Sequence, residues 1–143
     1  MKVHLRRFEV QTTRSTELIN ITKTVKEIVK NSGVSDGVCL VFSLHTTTGV
    51  MINEAEPGLE KDVPNFLRKL VPEHDDYYHH HYHFKDGRMA VNAWAHLRSI
   101  LMGLFAVIPV SKGELVLGSR ENIYLVELDG PQIRNVVVQV MGE

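Results

Sequence analysis

Hydrophobic and polar positions alternate at the start of the chain, where Val3, Leu5, Phe8 and Val10 are apolar and charged or polar residues stand between them. That two-residue period predicts a half-buried strand over 2–13, with the phase slip at Arg6-Arg7 read as a bulge. After a turn at Thr12-Thr13-Arg14-Ser15 the period lengthens. Val25, Ile28 and Val29 fall on one face and Lys23, Lys26, Glu27 and Lys30 on the other, predicting a helix over about 23–32, capped by Thr22 and stopped at Gly33. Residues 38–44 are nearly all apolar, the pattern of a strand buried on both faces, and the run ends in His45, three threonines and Gly49. Leu59, Val63, Phe66, Leu67 and Leu70 make one stripe of a second helix that starts at Pro57 and is ended by Pro72. Residues 72–91 show no period. Ala93, His96, Leu97, Ile100 and Leu101 share a face of a third helix over about 93–102, with Asn92 as its cap. From Gly103 onward the pattern is β: strands over 104–110 and 115–117, then a hairpin of 122–128 and 133–140 across Asp129-Gly130-Pro131-Gln132. These elements predict an α+β fold in a single domain over 1–143, a mostly antiparallel β-sheet system packed with about three helices.

Composition changes this picture little. The chain has 143 residues, 43% hydrophobic and 23% charged, the balance of an ordinary globular protein. No apolar run reaches the ~20 residues that span a bilayer, and the N-terminus lacks a secretory h-region, so the expected location is cytoplasmic, without a membrane partner. A formal net charge of −1 gives no electrostatic reason for a nucleic-acid partner, although a local basic patch is compatible with it. Cys39 is the only cysteine, so neither a disulfide framework nor a thiolate metal site is expected. Histidine is the unusual residue. There are eight, and five of them lie between positions 74 and 83.

Histidines from separate segments are the natural donors for a metal with open coordination positions, and His45, His83 and His96 lie on three different elements. No HExxH motif or cysteine pair accompanies them. Hydroxyls at Thr46, Thr47 and Ser99, backbone N–H groups at Gly49 and Gly118, and Arg98 as a clamp suit an anionic, phosphorylated small molecule. Glu54 and Glu56 are candidate bases, and solvated acids at a helix start are the plainer reading, the better one for Glu56.

Read together, Ser43-Leu44-His45-Thr46-Thr47-Thr48, Ile52-Asn53-Glu54, Asn92-Ala93-x-Ala95-His96-Leu97-Arg98-Ser99-x-Leu101-x-Gly103, Leu117-Gly118-Ser119, Glu127-Leu128-Asp129-Gly130-Pro131 and Val136-Val137-Val138-Gln139 resemble the YjbQ-like family over nearly the whole chain. The resemblance implies a small α+β protein, a homotrimer, and a histidine-rich pocket near the subunit interface. It also implies a weak or secondary thiamine-phosphate synthase-type transferase, which joins an aminopyrimidine diphosphate to a thiazole phosphate with loss of pyrophosphate. Residue by residue, it implies His45, Glu54 and Arg98 as catalytic and Thr46, Thr47, Asn53, Asn92, Ser99 and Gly118 as substrate-binding. His45, His83 and His96 would hold a divalent metal ion, Zn or Mg, with His81 the alternative to His83. The family usually has Lys at the position of Arg98 and L-G-T-W-Q where this chain has Leu117-Gly118-Ser119-Arg120-Glu121. Two further readings stand beside the transferase: a metal-dependent hydrolase of a small phosphorylated or carbonyl compound, and a non-catalytic small-molecule-binding trimer.

Overall fold

The computed structural model describes residues 1–84, 87 and 89–143. Lys85, Asp86 and Arg88, within the stretch expected to be irregular, lie outside the described residues. In chain order the elements are β1 (Lys2–Gln11), β2 (Glu17–Asn20), α1 (Thr22–Asn31), β3 (Gly37–Ser43), β4 (Thr48–Glu54), α2 (Pro57–Leu70), a 3-10 turn (Tyr78–His81), α3 (Ala93–Met102), β5 (Phe105–Ser111), β6 (Glu114–Leu115), β7 (Glu121–Glu127) and β8 (Ile133–Gly142). The α+β expectation holds: β1-β8-β3-β5-β6 form one antiparallel sheet and β2-β7-β4 a second. Among the described residues no helix is long and apolar enough to cross a membrane.

Two apolar layers hold these elements together. The first lies between the inner face of the larger sheet, α1 and the smaller sheet, with Val25, Val29, Cys39, Val41, Ile123 and Val138 among its buried members. The second packs α2 and α3 on the other side of the smaller sheet through Leu67, Ala95, Tyr124, Val126 and Leu128. β7 therefore contributes alternate residues to both layers. It is the strand buried on both faces, a role the sequence pattern assigned to residues 38–44. In β3 only Cys39, Val41 and Ser43 are buried, while Val38 and Phe42 face outward from the sheet. Cys39 sits at the centre of that core, and burial pushes its thiol up to about 12, so it is inert.

Two other expectations change. The register of β1 against β8 runs without interruption from Lys2↔Gly142 to Gln11↔Ile133, so Arg6-Arg7 forms no bulge. In α3 the apolar stripe points the wrong way for an isolated chain: Ala93, Ala95, Arg98 and Ser99 are buried, whereas Ile100 is 76% and Leu101 58% exposed. Gly49 explains how close α3 sits to β4. A Cβ there would meet Met102 at 2.9 Å, so this glycine serves packing. The helix starts also differ in detail. α2 begins at Pro57 as expected, and Glu56 is its N-cap, accepting from the backbone N–H groups of Gly58 and Leu59 at 2.7 and 2.8 Å. α1 includes Thr22 as its first residue, and Asn20 Oδ1 accepts from the Thr22 N–H at 3.1 Å.

Candidate functional site

The turn from β3 into β4, residues 44–47, is anchored from below by a buried ion pair. Glu127 ends β7 and Arg134 opens β8, seven residues apart across the hairpin, and their side chains are 0% and 2% exposed. Arg134 donates through Nη2 to Glu127 Oε1 at 2.6 Å and through Nε to Oε2 at 2.8 Å. The same Nη2 donates to the Thr47 hydroxyl at 2.8 Å. Thr12 Oγ1 donates to Glu127 Oε2 at 2.8 Å, and the Asp129 N–H donates to Oε1 at 2.9 Å. A buried charge pair is tolerated only when its remaining lone pairs and protons are met in this way. The consequence is a fixed floor under His45 and Thr46, and a fixed position for Asp129.

Three histidines near this floor have tautomers assigned by their partners. The Asn135 backbone N–H donates to His45 Nε2 at 2.9 Å, so the neutral ring carries its proton on Nδ1. Burial, and after it the Arg134 guanidinium, holds His45 below the ordinary 6.5. The Ala93 backbone N–H donates to His80 Nε2 at 3.0 Å, so His80 satisfies an otherwise free donor in the first turn of α3. Asn92, expected as the side-chain cap of that helix, is engaged elsewhere. Its Nδ2 donates to Asp129 Oδ2 at 2.8 Å, which turns Oδ1 toward His79 Nε2 at 2.9 Å. A carboxylate only accepts, so the amide orientation is fixed and His79 must donate from Nε2. In the neutral ring this leaves the lone pair on His79 Nδ1. The ring of His79 meets His96 edge-on with centroids 5.0 Å apart. Burial, followed by the His79 imidazole, pushes His96 below 6.5, against the opposing pull of Asp129 and a hydrogen bond to the Thr46 backbone. His79 and His96 line a cavity of about 350 Å³ together with Tyr77, Tyr78, Ala93 and Leu97.

The residues expected to be functional separate into two groups. His45, Thr46, Thr47, Asn92 and His96 lie at this end of the molecule, although the Thr47 hydroxyl is taken by Arg134. Asn53, Glu54 and Gly118 lie at the other. Glu54 pairs with Glu121 in the β4–β7 register, six residues from Thr48, a separation of about 20 Å along a strand. There Glu54 faces Arg120 at 3.7 Å, and Gly118 N–H donates to Glu121 at 2.8 Å. Ser99 is buried within α3. Arg98, expected as a phosphate clamp and catalytic group, is 1% exposed and donates from Nε and Nη2 to the Val71 carbonyl at 3.0 and 2.7 Å. It ties α3 to the end of α2, with Glu73 3.8 Å away. His83 is exposed in the loop after the 3-10 turn. Among the described residues no three His, Cys, Asp or Glu side chains gather to hold a metal ion, and His45, His83 and His96 are not brought together within a single chain. The sequence reading missed His79, Asp129, Glu127, Arg134 and Asn135. The one available signal was a charge at the inner end of each arm of an otherwise apolar hairpin.

The sequence pattern described as "UPF0047 protein YjbQ-like" matches residues 6–143. A UPF0047 protein of Archaeoglobus fulgidus is 39% identical over 132 residues, which are 92% of this chain and 97% of the relative. The UPF0047 protein YugU of Bacillus subtilis is 34% identical over 140 residues, 96% and 99% of the two chains. The crystal structure of a YbjQ-like protein of unknown function from Sulfolobus solfataricus superposes with a TM-score of 0.93 at 37% identity, covering 99% of each chain. These findings correct the activity expected from the resemblance. The relatives are described as UPF0047 proteins or as being of unknown function, and nothing in them points to thiamine-phosphate synthesis. Neither that transferase nor the metal-dependent hydrolase finds its metal cluster among the described residues, and the relatives' descriptions name no ligand for a binding trimer. The chain belongs to the YjbQ-like UPF0047 family.

Proposed function

We propose that the cavity beneath the 3-10 turn binds a small planar molecule and that His79 acts there as a general base. One observation carries this reading. The hydrogen-bonded chain Asp129–Asn92–His79 fixes the imidazole tautomer and leaves Nδ1 as the acceptor in a cavity-lining ring. A base held in one tautomer and orientation by a carboxylate-anchored partner is poised to take a proton from a bound substrate. Tyr77 and Tyr78 offer aromatic surface for a flat ligand.

5-Nitrobenzisoxazole tests the base directly. Removal of its C3 proton breaks the N–O bond and releases a coloured nitrophenolate, with the proton passing to the imidazole. Turnover above buffer is expected in the wild type, falling about a hundredfold or more in His79→Ala, within the range a positioned base contributes. Undiminished turnover in His79→Ala sinks the proposal.

The same reading takes the chain as one subunit of a homotrimer acting in the cytoplasm. Val3, Leu5, Phe42, Phe105 and Val107 leave the outer face of the larger sheet apolar and open, and the α3 stripe is open as well. The free buried thiol of Cys39 suits a reducing compartment. Light scattering in solution should give three times the 16.2 kDa chain mass; a monomer removes the trimer.

A further inference from the structure

Away from the histidine site, α1 presents Lys23, Lys26 and Lys30 along its exposed side. Two clefts run beside them. One, of about 520 Å³, lies between these lysines and the Asn20–Asn122 pair, with Glu27 on its wall. The other, of about 570 Å³, lies between Lys26, Lys30 and the β5–β6 turn at Lys112-Gly113, with Glu114 beside it. Lys26 and Lys30 line both, so the two clefts adjoin, and taken together as one groove their lining carries four ammonium groups and two carboxylates. Among the described residues the side-chain ion pairs engage Arg14, His81, Arg98, Arg120 and Arg134, and none engages these lysines.

Lys112 is the most informative of the four. Ser111 pairs with Glu114, which leaves Lys112 and Gly113 as a two-residue hairpin loop with φ of 53° and 78°. Asn, Asp or Gly occupies the first position of such a turn with less strain than a long side chain. The strained residue is held in place from outside the hairpin: Gly113 N–H donates to the Ser35 carbonyl at 2.9 Å and Lys112 N–H to Asp36 Oδ1 at 3.4 Å. A strained position fixed by its surroundings, with a cation at the mouth of a groove, is a feature expected of a binding site.

We propose that this groove binds a compact polyphosphorylated anion with three or more phosphoryl groups. Lys23, Lys26 and Lys30 are spread along about 10 Å of helix, a spacing that a row of phosphoryl groups matches better than a single one. Lysines act as separate point charges, which suits several phosphoryl groups in a row better than one planar carboxylate. Among the described residues the lining contains no aromatic side chain on which a nucleobase would stack, so the phosphates themselves are what the groove recognises.

Calorimetric titration of the full chain with inorganic tripolyphosphate at low salt tests the proposal. Saturable binding is expected, weakened by added salt and at least about tenfold tighter than orthophosphate. Loss of one exposed charge contact corresponds to about fivefold, so Lys112→Gly should bind about fivefold more weakly and Lys26→Ala/Lys30→Ala more weakly still. Glycine relieves the turn, so Lys112→Gly is expected to melt no lower than the wild type, which separates lost binding from lost folding. Absence of saturable binding overturns the proposal, as does wild-type affinity in both variants. Tighter binding of a short DNA duplex than of tripolyphosphate also overturns it, by assigning the groove to nucleic acid.

Discussion

The two ends of β4 carry similar residue types and treat them in opposite ways. At the Thr48 end, a carboxylate and a guanidinium are withdrawn from water, both carboxylate oxygens and two of the three guanidinium nitrogens have partners, and the Glu127–Arg134 unit acts as a rigid base for His45 and Asp129. At the Glu54 end, Glu54 and Arg120 stand 3.7 Å apart in solvent, with side chains 42% and 81% exposed. Coulomb attraction is weak and screened in that setting, whereas the buried pair is screened far less and cannot lose a partner without leaving a bare charge in the core. A candidate active site needs the first kind of charge. The second kind decorates a strand end.

Removing one member of the buried pair should have the largest effect. Glu127→Ala strands Arg134 in a dry environment, and a loss of about 3–5 kcal/mol in urea-denaturation stability is expected. The pH dependence sharpens the point. Burial pushes the Glu127 carboxyl up, but the Arg134 hydrogen bond, the Asp129 N–H and the Thr12 hydroxyl outweigh it and hold the group below its ordinary 4.5. A carboxyl depressed in the folded state contributes stability that is complete above the unfolded value and is lost as pH falls through the folded one. The gap between wild type and Glu127→Ala should therefore stay constant from neutral pH down to about 4.5 and narrow below it. A gap that stays the same down to pH 2 would show that the carboxylate's charge contributes nothing.

This contrast also marks how much the sequence could tell. Local signals carried the start of α2 at Pro57, the β7–β8 hairpin and the burial of Cys39, because turn chemistry and periodicity are local, whereas only the fold shows that His45, Asn92 and His96 lie at one end of the molecule. Burial depends on what lies across the gap. The apolar run of β3 and the stripe of α3 read as core, yet one face of each is open in the single chain, so their hydrophobicity points to a surface that another molecule covers. The buried pair was hidden for a related reason. Thr12 lies 115 residues from Glu127 and Thr47 lies 87 from Arg134, and only the finished register brings them together. His79 was masked by abundance. Among five nearby histidines, only the Asp129–Asn92 chain distinguishes it from its neighbours.

Glu54→Ala provides the smallest expected effect and the most informative control. The side chain is half in water and its ion pair is long, so the variant should match the wild type in urea to within about 0.5 kcal/mol. It should also leave His79-dependent turnover of the benzisoxazole unchanged, since about 20 Å of strand separates Glu54 from the β4 end that faces Glu127. A loss of stability near that of Glu127→Ala would mean that Glu54 is buried in the assembled protein. A loss of turnover at wild-type stability would mean something different. No movement of one chain along β4 closes that distance, so the effect would require Glu54 of one subunit to reach His79 of another, and the apolar faces of β3 and α3 would then be the surfaces that bring the two ends together.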